Sequence, residues 1–101
     1  MSIHTNLSAD GNTLTLLIQG RFDISLYKAF GDAYQPYIGK IFSYRLDFTQ
    51  TTYIDSSAIG MLLMLRERAG GDKASIVLEK ASPTIRDVFK VTHMDSLFRI
   101  E

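Results

Sequence analysis

At 101 residues the chain can bury one two-layer core and is too short for two. Hydrophobic residues make up 46% and charged residues 22%, which excludes a disordered chain. Eleven basic and eleven acidic side chains cancel without a run of either sign, so the basic patch that nucleic acid or an anionic membrane would need is missing.

No cysteine is present, so disulfides and thiolate chemistry are excluded, in keeping with a reducing compartment. MSIHTNLSADG lacks a basic stretch followed by an apolar core, and the longest apolar run is far below the roughly 20 residues of a spanning helix. A soluble, cytoplasmic single domain over 1–101 is the expectation.

Residues 3–8 read as a first strand, with Ile3, Thr5 and Leu7 on one side. Ala9-Asp10-Gly11-Asn12 is a tight-turn signal, and Thr13 to Gln19 makes a second strand that aligns Leu14, Leu16 and Ile18. Gly20-Arg21-Phe22-Asp23 is read as leaving the sheet, with Asp23 or Ser25 capping a helix from about Leu26. Leu26, Ala29, Phe30, Ala33 and Tyr34 form that helix's apolar stripe, and Pro36 and Gly39 close it.

The stretch from Ser43 to Gly71 organises the rest. Tyr44, Leu46 and Phe48 alternate with Arg45 and Asp47 as a strand, and polar Thr49 to Thr52 reads as a loop. Asp55-Ser56-Ser57 is a strong N-capping cluster before the apolar run Ala58-Ile59 and Met61 to Leu65, which suits a helix pressed on a sheet. Met61 to Leu65 are accordingly read as core, Arg66 and Arg68 as a solvated last turn, and Gly70-Gly71 as the stop. Ala74 to Glu79 is a further strand. Ser82-Pro83 starts a third helix with Ile85, Val88 and Phe89 inward, and Leu97, Phe98 and Ile100 form a tail or edge strand. The order β-β-α-β-α-β-α predicts an α/β two-layer domain, a mixed sheet of about four to five strands with helices packed on it. The strand-to-helix loops would then gather Asp23 and Ser56 at one end.

Catalytic chemistry finds little support. There are two histidines, His4 and His93, and no Gly-x-Ser-x-Gly, zinc-ligand spacing, Walker loop or Gly-x-Gly-x-x-Gly. No catalytic residue, metal or cofactor is expected. Ser56, by contrast, stands where unsatisfied N–H groups and the helix dipole favour a phosphate. The plain alternative is that Asp55 or Ser56 only caps the helix.

The segment LDFTQTTYIDSSAIGMLLML resembles the signature of STAS domains, specifically bacterial anti-sigma factor antagonists. The likeness extends over the whole chain, through Gly20 to Asp23 and IVLEKASPTIRDVFKVTHMDSLFRI. It implies a non-enzymatic partner switch: a kinase that is also the anti-sigma factor or regulator phosphorylates the serine after the aspartate, here Ser56, and a phosphatase reverses it. Asp23, Asp55, Ser57 and Ala58 match positions that flank the phosphosite or meet the partner. Many members carry glycine where this chain has Ala58, a difference that bears on how closely a partner reaches the serine. The wording is similar to antagonists of histidine-phosphotransfer pathways in gamma-proteobacteria, whose partners extend to a flagellar-type anti-sigma factor or a diguanylate cyclase; no nucleic acid or membrane partner is implied. The alternative within the family is a module that binds a nucleotide or lipid and relays that signal to a larger complex.

Overall fold

The computed structural model describes residues 2–101. The chain opens with an antiparallel hairpin, β1 (Ser2–Leu7) and β2 (Thr13–Phe22). In its turn the Asp10 carboxylate accepts hydrogen bonds from the Ser8 hydroxyl at 2.6 Å and the Asn12 N–H at 3.0 Å. Gly11 takes a φ of 75°, a conformation glycine reaches without a Cβ penalty. A 3₁₀ turn (Ile24–Leu26) leads into α1 (Tyr27–Tyr34), and then come β3 (Ser43–Asp47), β4 (Thr51–Ile54) and α2 (Ser56–Arg68). The chain ends with β5 (Ile76–Glu79), α3 (Pro83–Val91) and β6 (Arg99–Ile100).

The sheet order is β1-β2-β3-β5-β6, with β4 paired to β2 beyond β3. Only the β1–β2 pair is antiparallel among these pairings. The mixed α/β sheet expected from the pattern is therefore present, with six strands where four to five were counted. The difference lies in β4 and in the two-residue β6. Thr51 to Ile54 carries no alternation a reader could use, and its conformation is set by main-chain pairing with β2. Consequently β2 does not leave the sheet at Gly20 but continues through Arg21 and Phe22. Gly20 donates its N–H to the Gln50 carbonyl at 2.9 Å, and the buried Thr51 hydroxyl donates to the Ile18 carbonyl at 2.8 Å. A register shift falls between Gly20 and Arg21, where Gly20 has a φ of 82°.

The core lies between the sheet and the helices. Leu14, Leu16, Ile18 and Phe22 of β2, Tyr44 and Leu46 of β3, and Ile76 and Leu78 of β5 meet Leu26, Phe30 and Tyr34 before and along α1, and Ile85 and Phe89 of α3. Thr15, Leu17, Gln19, Arg45 and Asp47 alternate with them and stay half-buried, the mark of a sheet with one open face. Rings pack in series under the carboxyl ends of β2 and β3: Phe30–Phe22 at 5.2 Å, Phe22–Phe48 at 6.3 Å and Phe48–Phe89 at 5.3 Å between centroids.

α2 departs from its expected role at two positions. Met61, Leu62 and Leu65 are buried, but Leu63 and Met64 are 40% and 36% exposed. A 13-residue helix packed on one sheet face must turn part of its circumference outward, and an all-apolar run cannot tell which part.

Candidate functional site

Two adjacent parallel strands end the same way. Phe22 of β2 pairs with Ile54 of β4, and each is followed by an aspartate that caps the next helical segment. Asp23 has φ −140° and ψ −168°, and Asp55 has −138° and −172°. Asp23 accepts from the Ser25 N–H at 3.0 Å and the Ser25 hydroxyl at 2.6 Å. Asp55 accepts from the Ser57 N–H at 3.1 Å, the Ser57 hydroxyl at 2.6 Å and the Ala58 N–H at 3.3 Å. Both follow from one sequence pattern, Asp-x-Ser, which satisfies helix N-terminal donors that would otherwise lack partners.

The residue between aspartate and serine is pushed outward in both turns. In the first it is Ile24, 66% exposed; in the second it is Ser56, also exposed. Among the described residues no side-chain hydrogen bond engages the Ser56 hydroxyl, whereas Ser57 is half-buried and its hydroxyl is held by Asp55. Of the two serines, Ser56 is the more exposed. Ala58 is fully buried, so its methyl belongs to the core.

The charges of this end are fixed by those hydrogen bonds. Donation from the Ser57 hydroxyl, with the Ala58 and Ser57 N–H groups behind it, holds the Asp55 carboxyl below its ordinary 3.8; partial burial and the neighbouring Asp23 charge work the other way. The Ser25 hydroxyl and N–H, helped by Arg21, hold Asp23 down likewise. Arg21 forms a 3.3 Å ion pair with Asp23, and its guanidinium lies 3.8 Å from the centre of the Tyr53 ring. Arg21 and Tyr53 are register partners on β2 and β4, so this stack depends on β4 being a strand. Neither residue is recognisable as part of the site from the sequence, which offers only a scattered tyrosine and a strand-exit arginine.

Asp23, Asp55, Ser56 and Ser57 thus share one end of the sheet, as the strand-to-helix loops required. His4 lies on β1 and His93 follows α3. Among the described residues no three His, Cys, Asp or Glu side chains cluster as a metal site, and no helix is long and apolar enough to cross a membrane.

The sequence profile of the family described as Mlab, STAS domain matches residues 5–99, so the chain belongs to the STAS domain family. A STAS-domain containing protein of Pseudomonas aeruginosa is 44% identical over 100 residues, which cover 99% of each chain. Among solved structures, a candidate anti-sigma factor antagonist from Thermotoga maritima superposes with a TM-score of 0.82 at 15% identity, covering 97% of this chain and 84% of that one. The phosphorylated form of SpoIIAA, a Bacillus cell fate determinant, gives 0.75 at 18% identity over 99% and 91%. At those identities the two structures establish a shared fold.

Proposed function

We propose that this chain is a non-enzymatic, cytoplasmic partner switch of the anti-sigma factor antagonist kind, set by reversible phosphorylation of Ser56. The observation that carries it is the difference between the two serines of the Asp-Ser-Ser turn. Ser57 is locked to Asp55, and Ser56 is exposed at the first position of α2 with no side-chain hydrogen bond among the described residues. Membership of the STAS family and the fold shared with anti-sigma factor antagonists support the reading. The partner is an anti-sigma factor or serine-kinase regulator, with a phosphatase to restore the free serine; Asp23 and Asp55 frame the contact.

A phosphate on Ser56 adds about 1.5 to 2 negative charges. The α2 dipole offsets part of that charge, so the domain stays folded. The dianion stands among Asp55, Asp23 and exposed Ile24, and a docked partner would have to desolvate it there. A hundredfold loss of affinity corresponds to about 2.7 kcal/mol, within reach of one such charge.

The test is phosphopeptide mapping of the protein from its own cells, followed by affinity measurements with the regulator that Ser56→Ala retains on a column. Phosphate at Ser56 alone, and about a hundredfold weaker binding by the phosphorylated protein, is expected. Equal affinity of the two forms for the regulator overturns the switch.

A further inference from the structure

β1 pairs with β2 along one side, and among the described residues no strand pairs with its other side. The hairpin register fixes which main-chain groups are left over. The Ser8 N–H donates to the Thr13 carbonyl at 2.8 Å, and in an antiparallel pair the bonded positions recur at every second residue. Asn6, His4 and Ser2 therefore bond to β2, whereas Ile3, Thr5 and Leu7 turn their N–H and C=O groups outward. Proteins commonly blunt such an edge with a charge, a proline or a bulge. β1 has none of these: SIHTNL contains no Lys, Arg, Asp, Glu or Pro, and all six residues pair with β2 without a register shift. Besides water, what satisfies a row of outward N–H and C=O groups is another extended chain.

The strand is its own complement. Laid antiparallel on a second copy about a twofold axis at Thr5, it sets Thr5 opposite the second copy's Thr5 and Ile3 opposite the second copy's Leu7. This is the twofold register in which all three outward residues find outward partners within the strand, each pair exchanging two main-chain hydrogen bonds. Ile3 and Leu7 stand beside the core residues Ile18 and Leu14, on the helix side of the sheet. Leu7 is 42% exposed, and the second copy's Ile3 would cover it. On the open face His4 falls opposite the second copy's Asn6, so no acidic or basic side chains oppose one another along the strand. A formal net charge of zero gives two copies no long-range repulsion.

We infer that β1 is a homodimerisation edge, through which two copies of this chain join their sheets by antiparallel β1 strands about a twofold axis at Thr5. β3 and β4 hold the opposite edge of β2, so the joined edge leaves the Ser56 turn uncovered. Because the two copies run antiparallel, their Ser56 turns lie at opposite ends of the joined sheet. The dimer carries two separate sites, and its formation does not depend on the state of either.

The experiment is sedimentation velocity of the full chain over a concentration series, with amide hydrogen exchange read by NMR over the same range. The parent protein should pass from monomer to dimer as concentration rises. The Thr5 and Leu7 amides should gain protection in step with it, while those of His4 and Asn6 stay protected throughout. Thr5 is exposed, so Thr5→Lys and Thr5→Glu leave the fold intact and set like charges against each other across the axis; each should weaken the dimer about tenfold or more. An equal mixture of the two variants should dimerise at least as well as the parent, which separates lost pairing from lost folding. Thr5→Pro removes an outward donor and no bond to β2, and should abolish the dimer. Ser56→Asp should dimerise as the parent does. A parent chain that is monomeric at every concentration overturns the proposal, and so does one whose β1 edge is filled by a strand of a different protein. A dimer indifferent to Thr5→Lys, Thr5→Glu and Thr5→Pro lies elsewhere on the molecule and overturns the β1 edge. Variants that do not recover on mixing overturn the twofold register, and dissociation by Ser56→Asp overturns the independence of dimer and switch.

Discussion

The Asp23 and Asp55 turns are nearly the same object, with matching cap dihedrals, matching 2.6 Å hydroxyl bonds and adjacent strand ends. They differ in what each starts and what each displays. Asp23 opens a three-residue 3₁₀ turn and shows an isoleucine; Asp55 opens a 13-residue helix and shows a serine. Local chemistry builds a loop that presents its middle residue to solvent, an isoleucine in one turn and a hydroxyl in the other. An Asp-x-Ser turn is therefore a mounting, and under the proposed function the difference lies in the one side chain mounted on it.

The largest effect that would break the likeness is on folding. Asp55→Ala removes the cap of α2, whose Ala58, Met61, Leu62 and Leu65 belong to the core, and should cost about 1 to 2 kcal/mol in urea unfolding. Asp23→Ala removes the cap of a short exposed turn and should cost less; equal losses would mean that α2 draws no more on its cap than the 3₁₀ turn does.

Acid should weaken both turns. Because both carboxyls are held below 3.8, the folded state binds fewer protons than the unfolded chain. Their contribution is present above the ordinary carboxylate value and is lost as pH falls through the lowered folded values. Asp55→Asn keeps a capping side chain but cannot titrate, so the melting temperature of that variant should fall less steeply below about pH 4. The two carboxylates also repel each other, so an NMR titration of Asp23→Asn should show Asp55 releasing its proton at lower pH than in the parent protein.

The smallest change sharpens the comparison most. Ile24→Ser writes Asp-Ser-Ser at the first turn as well. Because Ile24 is exposed, its folding stability should move by less than about 0.5 kcal/mol. If the regulator requires the extended α2 surface and not the tripeptide alone, mass spectrometry should still find phosphate on Ser56 and none at position 24.

Much of this was legible in the residues. Asp10-Gly11 announced the hairpin, Ser82-Pro83 the third helix, and Asp55-Ser56-Ser57 the start of α2, because caps and turns are local chemistry. The Asp23 and Asp55 loops could be placed at one end because parallel strands put successive exits there. β4 could not be read, since Thr51-Thr52-Tyr53-Ile54 owes its conformation to pairing with residues about thirty positions earlier. With β4 went the Arg21–Tyr53 stack, which exists only in that register. Leu63 and Met64 were hidden for a different reason: in a helix apolar on every side, hydropathy carries no phase.

The ring series from Phe30 through Phe22 and Phe48 to Phe89 gives the switch end a stiff floor, each contact tying a different element to its neighbour. Close packing of that kind resists rearrangement when a group is added above it. Under the proposed phosphorylation of Ser56, the domain would store its state as a removable label and not as a shape, for as long as the phosphoester lasts. Timing would then be set by the enzymes that write and erase that mark.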